Sequence, residues 1–302
     1  MNAIATRDRE KLDARLQALL LEVDELPSIP ETLIQILKVL DNPNSGPADL
    51  GAVVRLDAPL MARILRLANS PYYSSRGDIT DINRCVSVLG YRTVRQVAIC
   101  VSVATSVIAA VSKSSGQLDY RELWRHSVVT GAIAKHLAQL AGYPDPEEAF
   151  TAGLLHDMGK FVLELHAPDK YHRIIAQRRT AGLPLVEAED EAFGFDHALL
   201  GEAFGKAWRF PAILTRCFGE HHLVPCGGAA RVREDSAVAL VALADFLANT
   251  TEPPHTDLGF DPRFVEPLAL HEVAGIPVKS VEENLGAMRD SVALASAYLD
   301  LS

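Results

Sequence analysis

Leu155-His156-Asp157-Met158-Gly159-Lys160 is the stretch on which the fold assignment turns. Two residues able to bind a cation stand side by side, and Lys160 follows Asp157 by three positions and His156 by four, one helical turn along. Taken alone, the pair has an ordinary explanation: Asp157 would cap a helix that begins near Gly159. What lies elsewhere in the chain gives it another meaning.

Ten histidines are present, and five of them form a pattern with two aspartates: His126, His156-Asp157, His197, His221-His222 and Asp245. Glu122 stands four residues before His126, on the same helix face. Imidazole suits iron, zinc, copper and nickel, and a carboxylate can bridge two cations. Two bridged metals lower the pKa of bound water and polarise phosphoryl oxygens, and a lysine beside them steadies phosphoester charge. Each residue also has a plainer reading. His197 follows Asp196 at a helix start, His221-His222 sit where a polar helix end suits imidazole, Glu122 could pair with Arg121 or Arg125, and Lys160 could be a surface lysine. His136, His166, His172, His255 and His271 lack patterned partners and read as structural. Cys217, His221 and Cys226 have no CxxC pair and no fourth ligand, so they do not read as a zinc cluster.

Around the motif nearly everything reads as helix. Leu12, Leu16, Leu19, Leu20 and Val23 recur at helical spacing. Leu26-Pro27-Ser28-Ile29-Pro30 breaks that helix, and Pro30 can open the next, through Leu33, Ile36, Leu37 and Leu40. Asn42-Pro43-Asn44-Ser45-Gly46-Pro47 is a loop. Short helices are expected over 48–56, 59–69 and 82–89, then a long buried one from about Thr93 to Val111. Its apolar part, Val97 to Val111, is too short and too polar for a membrane span. After a linker over 112–116, helices are expected over 121–140, 147–155, 159–165, 169–180, 197–208, 212–220 and 236–248. Pro144, Pro168, Pro184 and Pro211 each stand in or just before a helix start. Residues 250–264 read as loop, and a last helix covers about 280–299. No run alternates long enough for a strand. The expectation is an all-α, multi-helix chain in three stretches: an N-terminal helical part (1–115), a metal-binding helical part (116–250) and a C-terminal loop and helix (251–302).

The motif and its partners resemble the His-Asp signature of the HD phosphohydrolase superfamily, with His126 upstream and Asp245 downstream completing an H…HD…D set. The additional His197 and His221-His222 resemble the binuclear HD-GYP subgroup, which hydrolyses cyclic dinucleotides. Three earlier motifs, Leu26-Pro27-Ser28-Ile29-Pro30, Leu67-Ala68-Asn69-Ser70-Pro71-Tyr72-Tyr73 and Val86-Ser87-Val88-Leu89-Gly90, resemble the HDOD family of bacterial HD-related signalling modules. The resemblance covers about residues 20–250. It implies an HD-like helical fold and a centre for one or two divalent transition-metal ions (Fe, Mn, Ni or Zn). His126, His156, Asp157 and Asp245 would hold one ion. Asp157 would bridge to a second, held by His197, His221 and His222. Glu122 would be a further ligand or orient His126, and Asp157 and Lys160 would be the catalytic pair if the centre hydrolyses anything. The glycine-tyrosine-proline motif of the HD-GYP group is absent: His222 is followed by Leu223-Val224-Pro225-Cys226-Gly227-Gly228. Cyclic-dinucleotide hydrolysis is therefore not carried over. HDOD proteins commonly have incomplete metal sites and act as regulators, whereas this chain keeps most of the ligand set.

Composition sets the outer limits. Hydrophobic residues make up 48% and the net charge is -10, which fits a globular chain and argues against nucleic acid as a partner. Four cysteines fit no disulfide framework, and the charged start (Arg7, Asp8, Arg9, Glu10, Lys11) does not resemble a signal peptide. A cytoplasmic protein is expected, with no membrane partner. Its partner would be a signalling protein or a phosphate-containing small molecule. Three functions fit the ligand set: an HDOD regulator with a structural or sensing metal centre, a metal-dependent phosphohydrolase acting on a nucleotide or cyclic nucleotide, and an oxygenase-like di-iron site.

Overall fold

The computed structural model describes residues 16, 19, 30–42, 44–73, 78–113, 119–181, 183–222, 236–251 and 274–301. Every regular element among them is helical, as expected. The helix expected around 12–23 lies outside the described residues except for Leu16 and Leu19, both buried. Most of the Leu26–Pro30 motif, Cys226, His255, His271 and most of the expected 250–264 loop also lie outside them.

Short helices α1 (Glu31–Asp41), α2 (Pro47–Arg55), α3 (Ala58–Ala68) and α4 (Ile82–Leu89) pack on the long helix α5 (Tyr91–Val111). Aspartates start several of them: Asp57 accepts from the Leu60 amide, and Asp81 from those of Asn83 and Arg84. Helix α5 begins well before the apolar run and has 21 residues, long and apolar enough to cross a membrane. Length therefore does not set it apart from a span. Its position does, because Val97 to Val101 are each at most 2% exposed inside the bundle. A π-helical turn occupies Ala104–Ile108. The Thr105 and Ser106 hydroxyls donate back to the Val101 and Ser102 carbonyls, which is how polar side chains sit in this apolar setting.

The second half is built on α6 (Tyr120–Leu140) and α7 (Pro146–Leu155), which pack closely along their length. The contact needs glycine on both sides. A Cβ on Gly131 would meet the Phe150 carbonyl at 2.9 Å, and one on Gly153 would meet the Gly131 Cα at 2.9 Å. Then follow α8 (Met158–His166), α9 (Pro168–Ala181), α10 (Leu185–Phe193), α11 (His197–Ala207), α12 (Ala212–Glu220), α13 (Ser236–Thr251) and α14 (Val278–Leu294), which ends in a 3₁₀ turn, Ala295–Leu301. Helix α13 is apolar on all sides and packs on both α6 and α7. Asp245 is its only charged residue.

One continuous hydrophobic cluster runs from Leu33 in α1, through α5 and α7, to Tyr298 in the 3₁₀ turn. The Asn69–Tyr73 segment is the helix end and turn expected from sequence. Asn69 accepts from the Ile79 amide and donates to the Ile79 carbonyl. Tyr72 and Tyr73 then reach Phe150 and Tyr298, and the Trp124 indole donates to the Tyr298 carbonyl. Gly153→Ala should destabilise the fold by about 1–3 kcal/mol, because the added methyl must push α6 from α7. Denaturant unfolding with an unchanged m-value checks this; a change under about 0.5 kcal/mol would contradict the close-contact account.

Candidate metal centre

Five segments deliver the patterned residues to one place. His126 comes from the first third of α6, His156 and Asp157 from the α7–α8 junction, and His197 from the start of α11. His221 and His222 follow the end of α12, and Asp245 comes from α13. The capping explanation for Asp157 is half right: it holds the N-cap position of α8, but its side chain caps nothing. The carboxylate turns inward, where Lys160 Nζ donates to Oδ2 at 2.7 Å. At α11 the cap is Asp196, which accepts from the Leu199 amide, so the neighbouring His197 ring is left for the interior. His221 satisfies both of its readings. Its Nδ1 donates to the Cys217 and Phe218 carbonyls at the end of α12, which aims Nε2 at the cluster.

Asp157 sits in the middle with its two oxygens divided. Oδ2 lies 3.3 Å from His156 Nε2 and 3.8 Å from His126 Nε2. Oδ1 lies 3.4 Å from His197 Nε2 and 3.6 Å from His221 Nε2. Asp245 Oδ1 completes the first side, 2.9 Å from His126 Nε2 and 3.6 Å from His156 Nε2. His222 completes the second, its Nε2 2.9 Å from that of His197. Asp157, His197, His221 and His222 can each turn one ligand atom to a common point, and so can His126, His156 and Asp157.

The chemistry of these atoms fits a cation better than it fits a protein interior. Among the described residues, His156 Nε2, Asp157 Oδ1 and His221 Nε2 are buried without any hydrogen-bond partner. Such orphans are costly, at about 1–3 kcal/mol each, and invite an explanation. Ligands bound at about 2.1 Å to a common ion stand about 3.0–3.4 Å apart. The Asp157–His156 and Asp157–His197 spacings are close to that range.

The electrostatics agree. Burial works against a charged His156 ring, but Asp157 and Asp245 outweigh it and raise its pKa to about 10. Burial likewise works against the Asp157 carboxylate, but His156 and Lys160 hold it well below the usual carboxylate range. Asp245 is held low against its burial by His126 and His156. His221 is pulled below the ordinary imidazole value by burial, and His222 well below it by burial and the neighbouring His221 and His197 rings. Burial and the neighbouring rings thus favour neutral nitrogen donors at His221 and His222.

Glu122 stands one turn before His126, and its carboxylate is not in either group of converging atoms. Its amide donates to the Asp119 cap, and Asp245 is the carboxylate that meets His126. Lys160 is not a surface residue: it is 4% exposed and engaged with Asp157.

Two features were missed from sequence. Helix α10 was not expected, although Pro184 precedes it and Gly194 closes it with φ 77°. It carries Glu189, fully buried, whose Oε2 accepts from His197 Nδ1 at 2.6 Å and from the His197 amide at 2.9 Å. Its Oε1 accepts from the Tyr171 hydroxyl at 3.0 Å. The second is the pairing of buried Glu164 with His172, at 3.0 Å.

An all-helical bundle with clustered histidines and aspartates at a His-Asp junction defines the HD class of folds. The HDOD domain family matches residues 26–224, and the chain belongs to that family. Its fold is that of an HDOD domain protein of unknown function from Geobacter sulfurreducens (TM-score 0.77, 23% identity, 96% of this chain and 98% of that one). It is also similar to a protein from Shewanella amazonensis SB2B provisionally named a phosphohydrolase (TM-score 0.70, 26% identity, 93% and 98%). An uncharacterized protein of Treponema pallidum (strain Nichols) is 24% identical over 204 residues, 67% of this chain. The chain spans 39% of the length of that curated relative.

Gly159 is what lets the two sides meet. A Cβ there would lie 1.8 Å from the His197 carbonyl oxygen, so α8 and α11 touch backbone to backbone. Gly159→Ala should push α11 away and take His197 with it. Its expected cost is about 3 kcal/mol or more of stability, at the upper end of overpacking effects. A thermal midpoint within about 2 °C of wild type would show that the contact is not as tight as described.

Proposed function

We propose that this chain is a regulatory HDOD protein whose His/Asp cluster binds two divalent transition-metal ions, with Asp157 bridging them. The division of the Asp157 oxygens between two sets of imidazoles carries the proposal. His126, His156 and Asp245 would hold one ion together with Oδ2, and His197, His221 and His222 would hold the other with Oδ1. Such a pair would supply an activated water and a Lewis acid for phosphoryl oxygen. The residues around it do the holding. Lys160 fixes the bridging carboxylate, and the Gly153, Cys217 and Phe218 carbonyls fix the His156 and His221 rings. The regulatory part of the proposal is supported by family membership and by the N-terminal helices, which add packing but, among the described residues, no metal-ligand cluster. A signalling protein, in the cytoplasm, is the partner it implies.

A second reading has its own support. The ligand set is nearly complete, and a relative at 26% identity is provisionally named a phosphohydrolase. In that case Asp157 and Lys160 serve a phosphate-containing small molecule, which enters from the His126, Asp245 and His222 side, the members with measurable exposure.

Elemental analysis after loading with Mn²⁺, Fe²⁺ or Zn²⁺ should give two ions per chain. Asp157→Ala should lose both, and His126→Ala and His221→Ala one each. A chain that stays metal-free under all three would end the proposal. A panel of nucleotides and phosphoesters with Mn²⁺ or Fe²⁺ separates the two readings: turnover abolished by Asp157→Ala establishes hydrolysis, and silence favours regulation.

A further inference from the structure

The two halves of the cluster are not equally prepared for a cation. On the His126/His156/Asp245 side most of the donor atoms are already engaged, His156 Nε2 being the one without a hydrogen-bond partner among the described residues. Asp245 Oδ1 meets His126 Nε2 at 2.9 Å and also accepts from Asn249 at 2.9 Å. Asp157 Oδ2 accepts from Lys160 at 2.7 Å. The His126 side chain is 10% exposed, and Thr130 on its own helix lies at a marginal 3.5 Å from its Nε2. An ion entering here must separate these contacts first.

The other half is held open from outside. Glu189 takes the proton-bearing Nδ1 of His197, so the Nε2 lone pair is the one turned inward. The same oxygen binds the His197 amide, and Tyr171 holds the other oxygen, so the carboxylate has no freedom to rotate. Two helix-end carbonyls do the same for His221. Among the described residues, His221 Nε2 and Asp157 Oδ1 face this half with no hydrogen-bond partner, and the one hydrogen bond between its donors that has to yield is His197–His222.

We infer that the three-histidine half (His197, His221, His222 and Asp157 Oδ1) takes the first ion, and that Glu189 acts through His197 as the positioning residue that makes it the tighter of the two. The His126/His156/Asp245 half then fills second and more weakly. This order rests on the proposed binuclear centre and is the reverse of what the H…HD…D signature alone would suggest.

Titration of the metal-free full chain with Co²⁺, followed by calorimetry and by the visible d–d bands, tests it without any assay of activity. Wild type should show one tight equivalent and a second, weaker one. His126→Ala should keep the tight equivalent and lose the weak one; His221→Ala should do the reverse. Glu189→Gln should weaken the tight equivalent by about 10–100-fold and alter its d–d bands, with the weak one unchanged. Tyr171→Phe, which removes one bond from Glu189 and leaves His197 alone, should give a smaller loss in the same direction and serves if Glu189→Gln does not fold. A tight equivalent that vanishes in His126→Ala but survives in His221→Ala overturns the order. Unchanged affinity in both Glu189→Gln and Tyr171→Phe overturns the role of Glu189. Absence of any Co²⁺ binding by wild type is a different result, which removes the metal centre itself.

Discussion

A carboxylate at 1% exposure governs the architecture around it. An ionised Asp157 in that position would be prohibitive without compensation. Compensation comes from all sides: Lys160 from the next turn of its own helix, two imidazoles facing each oxygen, and Asp245 balancing the charge on His156. None of these partners is adjacent in sequence except His156 and Lys160. The helices must therefore be brought together with enough accuracy to place Nε2 atoms within 3.3–3.8 Å of a single side chain. The glycine contacts supply that accuracy. Gly131 against Gly153 sets α6 on α7, and Gly159 against His197 sets α8 on α11. Both are backbone contacts, which do not shift as side chains can.

The same buried carboxylate explains why single residues here have double duties. His221 closes a helix and points into the cluster. Asp157 occupies an N-cap position without capping, so the start of α8 relies on the backbone turn in which the Lys160 amide bonds the Asp157 carbonyl. Local helix stability gives way to the needs of the site at one terminus and is kept at another, where Asp196 caps α11 and spares His197. Such exceptions to local rules concentrate where function imposes a geometry.

Much of this was readable in advance. The helix periods were clear where apolar residues recur, and Asp245 entered the pattern as the downstream aspartate of the H…HD…D set. Chemistry at motif spacing identified seven of the residues that meet. The failures have physical causes. Helix α10, Leu-Val-Glu-Ala-Glu-Asp-Glu-Ala-Phe, is dominated by acidic residues and short, so its apolar face (Leu185, Phe193) is too sparse to register as a period. With the helix went Glu189, since nothing local distinguishes a buried glutamate from its solvated neighbours. Glu122 shares a helix face with His126 but is not in either group of converging atoms. Periodicity gives the face; only tertiary packing gives the depth.

What remains is the relation between the centre and the first five helices. They do not stand apart as a separate unit, because one core runs from α1 to Tyr298. Three contacts tie them to the cluster. Helix α5 packs on α7, which leads into His156, and its last turn, Ala109–Val111, packs on α8, the helix whose N-terminus is Asp157. Tyr72, from the turn after α3, packs against Phe150 of α7, and Lys135 of α6 lies 4.5 Å over the Tyr72 ring. The α7–α8 junction is therefore in mechanical contact with the N-terminal half through close-packed, poorly compressible side chains. On the regulatory reading proposed above, a change in separation between α7 and α8 on metal loading would have to be absorbed there, and the N-terminal helices would carry it onward.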